Sequence, residues 1–191
     1  MEKKPGLLIL AGGRSLRMGT DKAKLKIGEE TFIEKIAGQL KDFDEKILSS
    51  NRDMTVDGFV TLADEKELAG MGPAAGIVTA LDFCRCGRLM TVPCDMPFVS
   101  GELAGKLREA ARRTDKIVVA RGAGTIQPLV GIYPKAAADF IRRELTGGNR
   151  KVIDIIEAFG FETVEADDRS MININTPEEY REMLRTYGKG R

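Results

Sequence analysis

Two glycines, Gly12 and Gly13, interrupt the apolar run Leu7-Leu8-Ile9-Leu10-Ala11, and the basic residues Arg14, Arg17, Lys22 and Lys24 follow closely. Glycines let backbone N–H groups approach an anion without an intervening Cβ, and the cations add charge suited to polyphosphate. The spacing is neither the dinucleotide-binding G-x-G-x-x-G nor the Gly-Lys-Ser/Thr of a P-loop, because this loop reads Gly19-Thr20-Asp21-Lys22. Its plain alternative is a glycine turn with a solvated basic face.

A second group lies at Cys94-Asp95-Met96-Pro97. A carboxylate at the end of a strand suits Mg2+, which takes one or two carboxylates and shares its shell with phosphate oxygens. The structural alternative for Asp95 is a cap on the helix that starts near Gly101. Asn51 and Asp64 follow two other apolar runs, and read alone each is a turn or loop residue. Gly72 and Pro73 mark a close approach and a first helical turn, whose N-terminus favours anionic groups. In Met171-Ile172-Asn173-Ile174-Asn175-Thr176-Pro177-Glu178-Glu179, an extended backbone puts both asparagines on one face and both isoleucines on the other. Thr176, Pro177 and Glu179 read as a capping box, which leaves the two amides without a structural purpose.

The chain contains no histidine, which excludes Ser-His-Asp and Cys-His mechanisms. Its formal net charge of +1 gives no reason to expect a nucleic-acid partner. Three cysteines, with no pattern of a zinc site, read as reduced and intracellular. No apolar stretch reaches transmembrane length, so the expectation is a cytoplasmic protein with no membrane partner.

To position these groups, the chain alternates strand and helix patterns. Strands are expected over 6–11, 46–50, 59–62, 89–94, 116–120, 125–133 and 161–165, and helices over 32–41, 73–83, 101–113, 135–145, 152–159 and 177–187. Such alternation implies an α/β fold with a mostly parallel sheet covered on both faces. The Arg121-Gly122-Ala123-Gly124 turn predicts one antiparallel part. Pro93 should end or bend its strand, taking Cys94 and Asp95 out of regular pairing. With no repeat or linker, residues 1–191 read as one domain.

Leu10-Ala11-Gly12-Gly13, Ser15, Arg17-Met18-Gly19 and Lys22 together resemble the signature loop of nucleotidyltransferases with the Rossmann-like glycosyltransferase-A fold, a single three-layer α/β/α domain. With Gly72-Pro73-Ala74-Ala75-Gly76, Cys94-Asp95-Met96-Pro97 and Asn173-Ile174-Asn175-Thr176-Pro177-Glu178 in the same order, the chain is similar over nearly its whole length to the molybdenum cofactor guanylyltransferases. The resemblance implies that GMP passes from GTP to the phosphate of molybdopterin, releasing pyrophosphate, with Mg2+ as cofactor. It implies nucleotide contacts at Leu10, Ala11, Gly12, Gly13, Lys22, Asn51, Asp64 and Asp95. The catalytic set would be Arg17, Lys22 and Asp95, with Asp95 on the metal. Asn173 and Asn175 would align acceptor and nucleotide. Arg150 and Lys151 in Gly148-Asn149-Arg150-Lys151-Val152 would lie on the acceptor side, their plain alternative being a solvated helix start. Related readings are the same transfer from CTP, transfer from GTP to a phosphorylated cobalamin precursor, or a non-catalytic chaperone module. Transient contacts with other cofactor-biosynthesis proteins or molybdoenzymes are also expected. Departures from the family pattern are Gln127 where many relatives carry histidine, Ala75 in place of leucine, and a short loop from Gly19 to Lys22.

Overall fold

The structure, a computed structural model, describes residues 4–12, 25–122 and 124–188. A seven-stranded sheet has the order β5-β4-β1-β6-β8-β7-β9. Its strands are β1 (Gly6–Leu10), β4 (Lys46–Ser49), β5 (Val60–Leu62), β6 (Arg88–Pro93), β7 (Ile117–Gly122), β8 (Thr125–Pro134) and β9 (Phe161–Glu165). β8 runs antiparallel to β6 and β7, and the other pairings are parallel. The antiparallel part therefore falls at the 121–124 turn, as its residues predict.

β1 is buried along its full length, as both-sided cover of a parallel sheet requires. Leu8 and Leu10 face a core shared with helices α2 (Pro73–Phe83), α4 (Ala138–Thr146) and α5 (Val152–Phe159). Leu7 and Ile9 face the opposite core, with α1 (Phe32–Gln39) and α3 (Gly101–Ala111). Those two helical layers around one sheet make the three-layer α/β/α arrangement. A third apolar cluster joins Leu25, Ile27 and Phe32 to Phe98, Ile174 and Met183. It packs α6 (Pro177–Tyr187) over the short hairpin β2 (Lys26–Ile27) and β3 (Glu30–Thr31). The sequence reading lacks this hairpin, because two-residue strands carry no alternation. Residues 135–145 do not form one helix: a 3-10 turn, Lys135–Ala137, precedes α4.

Pro93 closes β6 in register with Leu10. The Cys94 N–H still donates to the Leu10 carbonyl (3.0 Å), so Cys94 keeps one rung and only Asp95 leaves the ladder. Because N–H directions alternate along a strand, the Pro93 nitrogen faces β8, whose pairing with β6 has already stopped at Thr91. The missing donor therefore costs the sheet no hydrogen bond. Among the described residues, no helix is long and apolar enough to cross a membrane.

Candidate active site

From β1 the chain goes to β4 and β5 on one side, then crosses to β6 on the other. Strand order thus reverses between β1 and β6, and the crevice beyond their carboxyl ends is where open α/β sheets bind ligands. Leu10, Ala11 and Gly12 leave β1 on one wall of it. Asp95 leaves β6 on the other. The exit from β1 is held from both sides: Ala11 N–H donates to the Ser49 carbonyl of β4 (2.9 Å), and the Leu10 carbonyl receives Cys94 N–H. At Gly12 an added Cβ would have Ser49 O at 4.0 Å as its nearest neighbour, so internal packing does not demand glycine there. Gly13, Arg17 and Lys22, with Arg14 and Lys24, lie outside the described residues.

Asn51 and Asp64, at the carboxyl ends of β4 and β5, are brought together. Asn51 Nδ2 donates to Asp64 Oδ2 (2.8 Å), and Asp64 N–H donates to Asn51 Oδ1 (2.9 Å). This reciprocal pair ties the two loops to each other. Glu65, the next residue, is anchored by Arg142 of α4, which also pairs with Asp82 of α2. The Arg142 guanidinium holds the Glu65 carboxyl below its ordinary range.

Helix α2 begins at Gly72, whose φ of 90° belongs to the region that favours glycine. No atom lies within 4 Å of a Cβ added at Gly72, so the close approach expected there occurs instead one turn later, at Gly76. An added Cβ at Gly76 would sit 2.4 Å from Ser49 Oγ and 3.2 Å from Leu10 Cδ2. Gly76 thus lets the first turn of α2 press against β4 and β1. No side chain caps that N-terminus.

Asp95 is half-buried in the turn after β6. It is not a helix cap: Ser100 caps α3, its side chain accepting from Leu103 N–H (3.2 Å). The Asp95 carbonyl instead accepts Ile174 N–H (2.9 Å), joining the carboxylate loop to the asparagine segment. Ile174 is fully buried in the third cluster, Ile172 packs against it, and Asn173 is exposed. The predicted capping box is present, with Thr176 Oγ1 accepting from Glu179 N–H and Glu179 Oε2 accepting from Thr176 N–H. Glu179 Oε2 also accepts Asn175 N–H at 2.6 Å, a contact the capping pattern does not announce. Upstream, Ser170 Oγ donates to Asp167 (2.6 Å) and meets Ser100 Oγ (3.2 Å), while the Asp167 carboxyl is held below its ordinary range by Ser170. The 167–175 segment is therefore pinned to the start of α3, to Asp95 and to α6.

Arg150 and Lys151 occupy the turn between α4 and α5. The chain leaves the amino edge of the sheet at Pro134, which pairs with Arg88, and returns to it at Phe161, which pairs with Ile117. The turn between the two intervening helices accordingly lies toward the carboxyl edge. Asn149 shapes it through Glu144 and Lys151 N–H.

Sequence reasoning also missed what holds Gln127. A bulge in β8 shifts its register against β7, from Gly131 opposite Val119 to Gln127 opposite Ala120. Pro128 sits in this bulge, where a missing ladder donor is tolerated. The Pro128 carbonyl accepts the hydroxyl of fully buried Tyr133, and the Leu129 carbonyl accepts that of buried Thr91. Burial pushes the Tyr133 hydroxyl pKa up, so it remains a donor. The only advance signal was a proline inside an apparent strand.

Among the described residues, no three His, Cys, Asp or Glu side chains converge on a possible metal site. One carboxylate at an open edge does suit Mg2+, which keeps water or phosphate oxygens in its shell, whereas a closed protein cage would not be expected for it.

This sheet order, switch-point crevice and paired loops define a nucleotidyltransferase-type domain. Residues 7–164 match the MobA-like NTP transferase domain, and the chain belongs to that family. It is 32% identical over 193 residues to a probable molybdenum cofactor guanylyltransferase of Clostridium perfringens, covering 95% of this chain and 97% of that one. A molybdenum cofactor guanylyltransferase of Cereibacter sphaeroides is 32% identical over 178 residues, covering 90% and 91% of the two chains. The crystal structure of molybdopterin-guanine dinucleotide biosynthesis protein A from Archaeoglobus fulgidus superposes with a TM-score of 0.81 at 22% identity, covering 97% of this chain and 100% of that one. At that identity the structural likeness is one of fold.

Proposed function

We propose that this chain transfers GMP from GTP to the terminal phosphate of molybdopterin cofactor, forming the guanine dinucleotide and pyrophosphate. Family membership and the near-full-length similarity to guanylyltransferases support the reaction. The observation that carries the site reading is the hydrogen bond from Ile174 N–H to Asp95 O, which couples two sequence signatures beside the switch point. The chain is read as one domain because one seven-stranded sheet takes strands from Gly6 to Glu165, and as cytoplasmic because its cysteines are free.

A phosphate monoester has its second pKa near about 6 and is already largely ionised at neutrality. It can attack the α-phosphorus without a general base, in keeping with a chain that lacks histidine. Catalysis is then chiefly positioning and charge neutralisation. Leu10, Ala11, Gly12 and Gly13 bind the nucleotide through main chain, and the clasped pair Asn51–Asp64 gives a fixed wall for it. Arg17 and Lys22 hold the leaving pyrophosphate. Asp95 holds Mg2+, which when bound polarises a phosphoryl oxygen. Asn173 and Asn175 orient the acceptor, and Arg150 and Lys151 attract its phosphate.

Pyrophosphate formation measured with each of the four NTPs, with and without molybdopterin, tests this reading. The expected result is acceptor-dependent release from GTP. Release from CTP in preference to GTP would move the chain to cytidylyl transfer, and binding without release would make it a carrier.

A further inference from the structure

A second cationic cleft lies at the opposite, amino edge of the sheet. It measures about 230 Å3 and is lined by Lys4 ahead of β1, Arg88 at the start of β6, Arg108 and Arg112 on α3, with Gly105 and Ile132 completing its wall. Among the described lining residues none is acidic. Among the described residues, the carboxylates paired with these cations are not part of the lining: Asp44 is 4.0 Å from Lys4, Asp115 is 3.7 Å from Arg88, and Glu109 is 3.3 Å from Arg112. Asp44 and Asp115 are largely solvated, so their neutralisation of the cleft is screened. Arg108 lies over the Phe43 ring.

Two observations point from the cleft to a ligand. The Arg88 side chain is only 22% exposed, and its Nη1 is buried with no hydrogen-bond partner among the described residues. A buried charged donor without an acceptor is costly, and native structures seldom keep one without a reason. Gly105 sits inside the continuous helix α3, where glycine is a poor helix former, yet no atom lies within 4 Å of a Cβ added there. Packing does not require this glycine, and its missing side chain keeps the wall of the cleft open. The volume is below the roughly 300–1,000 Å3 of ordinary small-molecule sites, which favours a phosphate-sized ligand over a nucleotide.

We infer that this cleft is a second anion site, which binds a small phosphate-type anion through Arg88, Arg108, Arg112 and Lys4. Planar guanidinium groups match phosphate oxygens pairwise, which a lysine cluster would not do. The inference is independent of the carboxyl-edge chemistry.

The test is a titration of the 15N-labelled full chain with inorganic phosphate, exchanged against chloride at constant ionic strength. Amides of Gly105, Arg108, Ala111 and Ile132, and the Arg88 Nε–H, should shift saturably. Gly105→Leu should leave the fold intact, since leucine favours helix and faces open space, but should fill the cleft and weaken binding tenfold or more. Arg88→Gln should weaken it similarly; if that variant does not fold, Gly105→Leu decides. Shifts that never saturate, that occur only around Gly12 and Asp95, or that persist unweakened in Gly105→Leu would overturn the site.

Discussion

Asp95 combines an observed backbone role with a proposed side-chain one. Its carbonyl holds Ile174 N–H, and its carboxylate is the group proposed to meet the metal. Asp95→Asn keeps the backbone bond and removes the anionic oxygen that a hard cation prefers. Turnover should fall by roughly 10²–10³-fold, on the scale of losing one electrostatic stabiliser. The melting temperature should change little, because Ser100 and not Asp95 caps α3. Steady-state pyrophosphate release across a Mg2+ titration, beside a thermal melt, checks both halves. Near-wild-type turnover with unaltered Mg2+ dependence would remove Asp95 from the site. Asn175 is held differently: Glu179 fixes its backbone N–H, and the alignment role proposed for it belongs to its side-chain amide.

At the scale of elements, the seat of α2 on the sheet depends on Gly76. Gly76→Ala would force its Cβ against Ser49 and Leu10, costing about 1–3 kcal/mol and several degrees in Tm. Adding Ser49→Ala removes the 2.4 Å contact with Oγ but keeps the 3.1 Å contact with Cβ, so it should restore part of the loss. A single mutant as stable as wild type would show that α2 shifts freely. The loop beyond Asp64 depends on Arg142. Arg142→Ala should cost roughly 1 kcal/mol at neutral pH, the scale of a partly exposed ion pair. Glu65 titrates below its ordinary 4.5 in the fold. Its pairing energy is therefore complete above that value and disappears as pH falls through the folded pKa. The Tm difference between wild type and Arg142→Ala should narrow as the pH falls below the ordinary 4.5 and through the lowered folded pKa, and a constant difference down to strong acid would mean the pair contributes nothing. These elements differ in how legible they were. α2, α5, α6 and β9 begin and end at the residues their patterns predict, because Pro73, Gly160, Pro177 and the Thr176–Glu179 box act locally. The β2–β3 hairpin and the β8 bulge were not legible, since Tyr180 and Met183 hold the first, and Thr91 the second, from far along the chain, with Tyr133 of β8 itself closing the bulge locally. The candidate site divides the same way: each residue was visible, but the Asn51–Asp64 clasp and the Asp95–Ile174 bond are tertiary facts.

Across the whole molecule, the N-terminal hairpin and the C-terminal helix are one structural unit built on the side of the sheet. Tyr180 OH donates to the Lys26 carbonyl (2.8 Å), Phe32 and Tyr180 meet edge to face, and Met183 and Ile174 are buried with Leu25 and Ile27. The buried residues of this cluster are distinct from those of the two cores on the sheet faces, which predicts that it opens without unfolding them, as local cooperative units do. It also carries Asn173 and Asn175 through Ile174, and the chain entering the hairpin comes directly from the basic loop. Met183→Ala should therefore act locally. Truncating a buried methionine costs about 2–5 kcal/mol, which at tenfold per 1.4 kcal/mol is roughly 30- to 3,000-fold faster amide exchange if the unit opens by itself. The acceleration should fall on residues 26–31 and on α6, while amides of β1, β4 and β6 keep their protection. GTP and acceptor turnover should fall with it, because the asparagine segment loses its anchor. Hydrogen exchange measured residue by residue on the full chain distinguishes the cases. Equal acceleration in the central sheet would mean that α6 is part of the global folding unit, and the two ends of the chain would then be coupled through the sheet instead of through their own cluster.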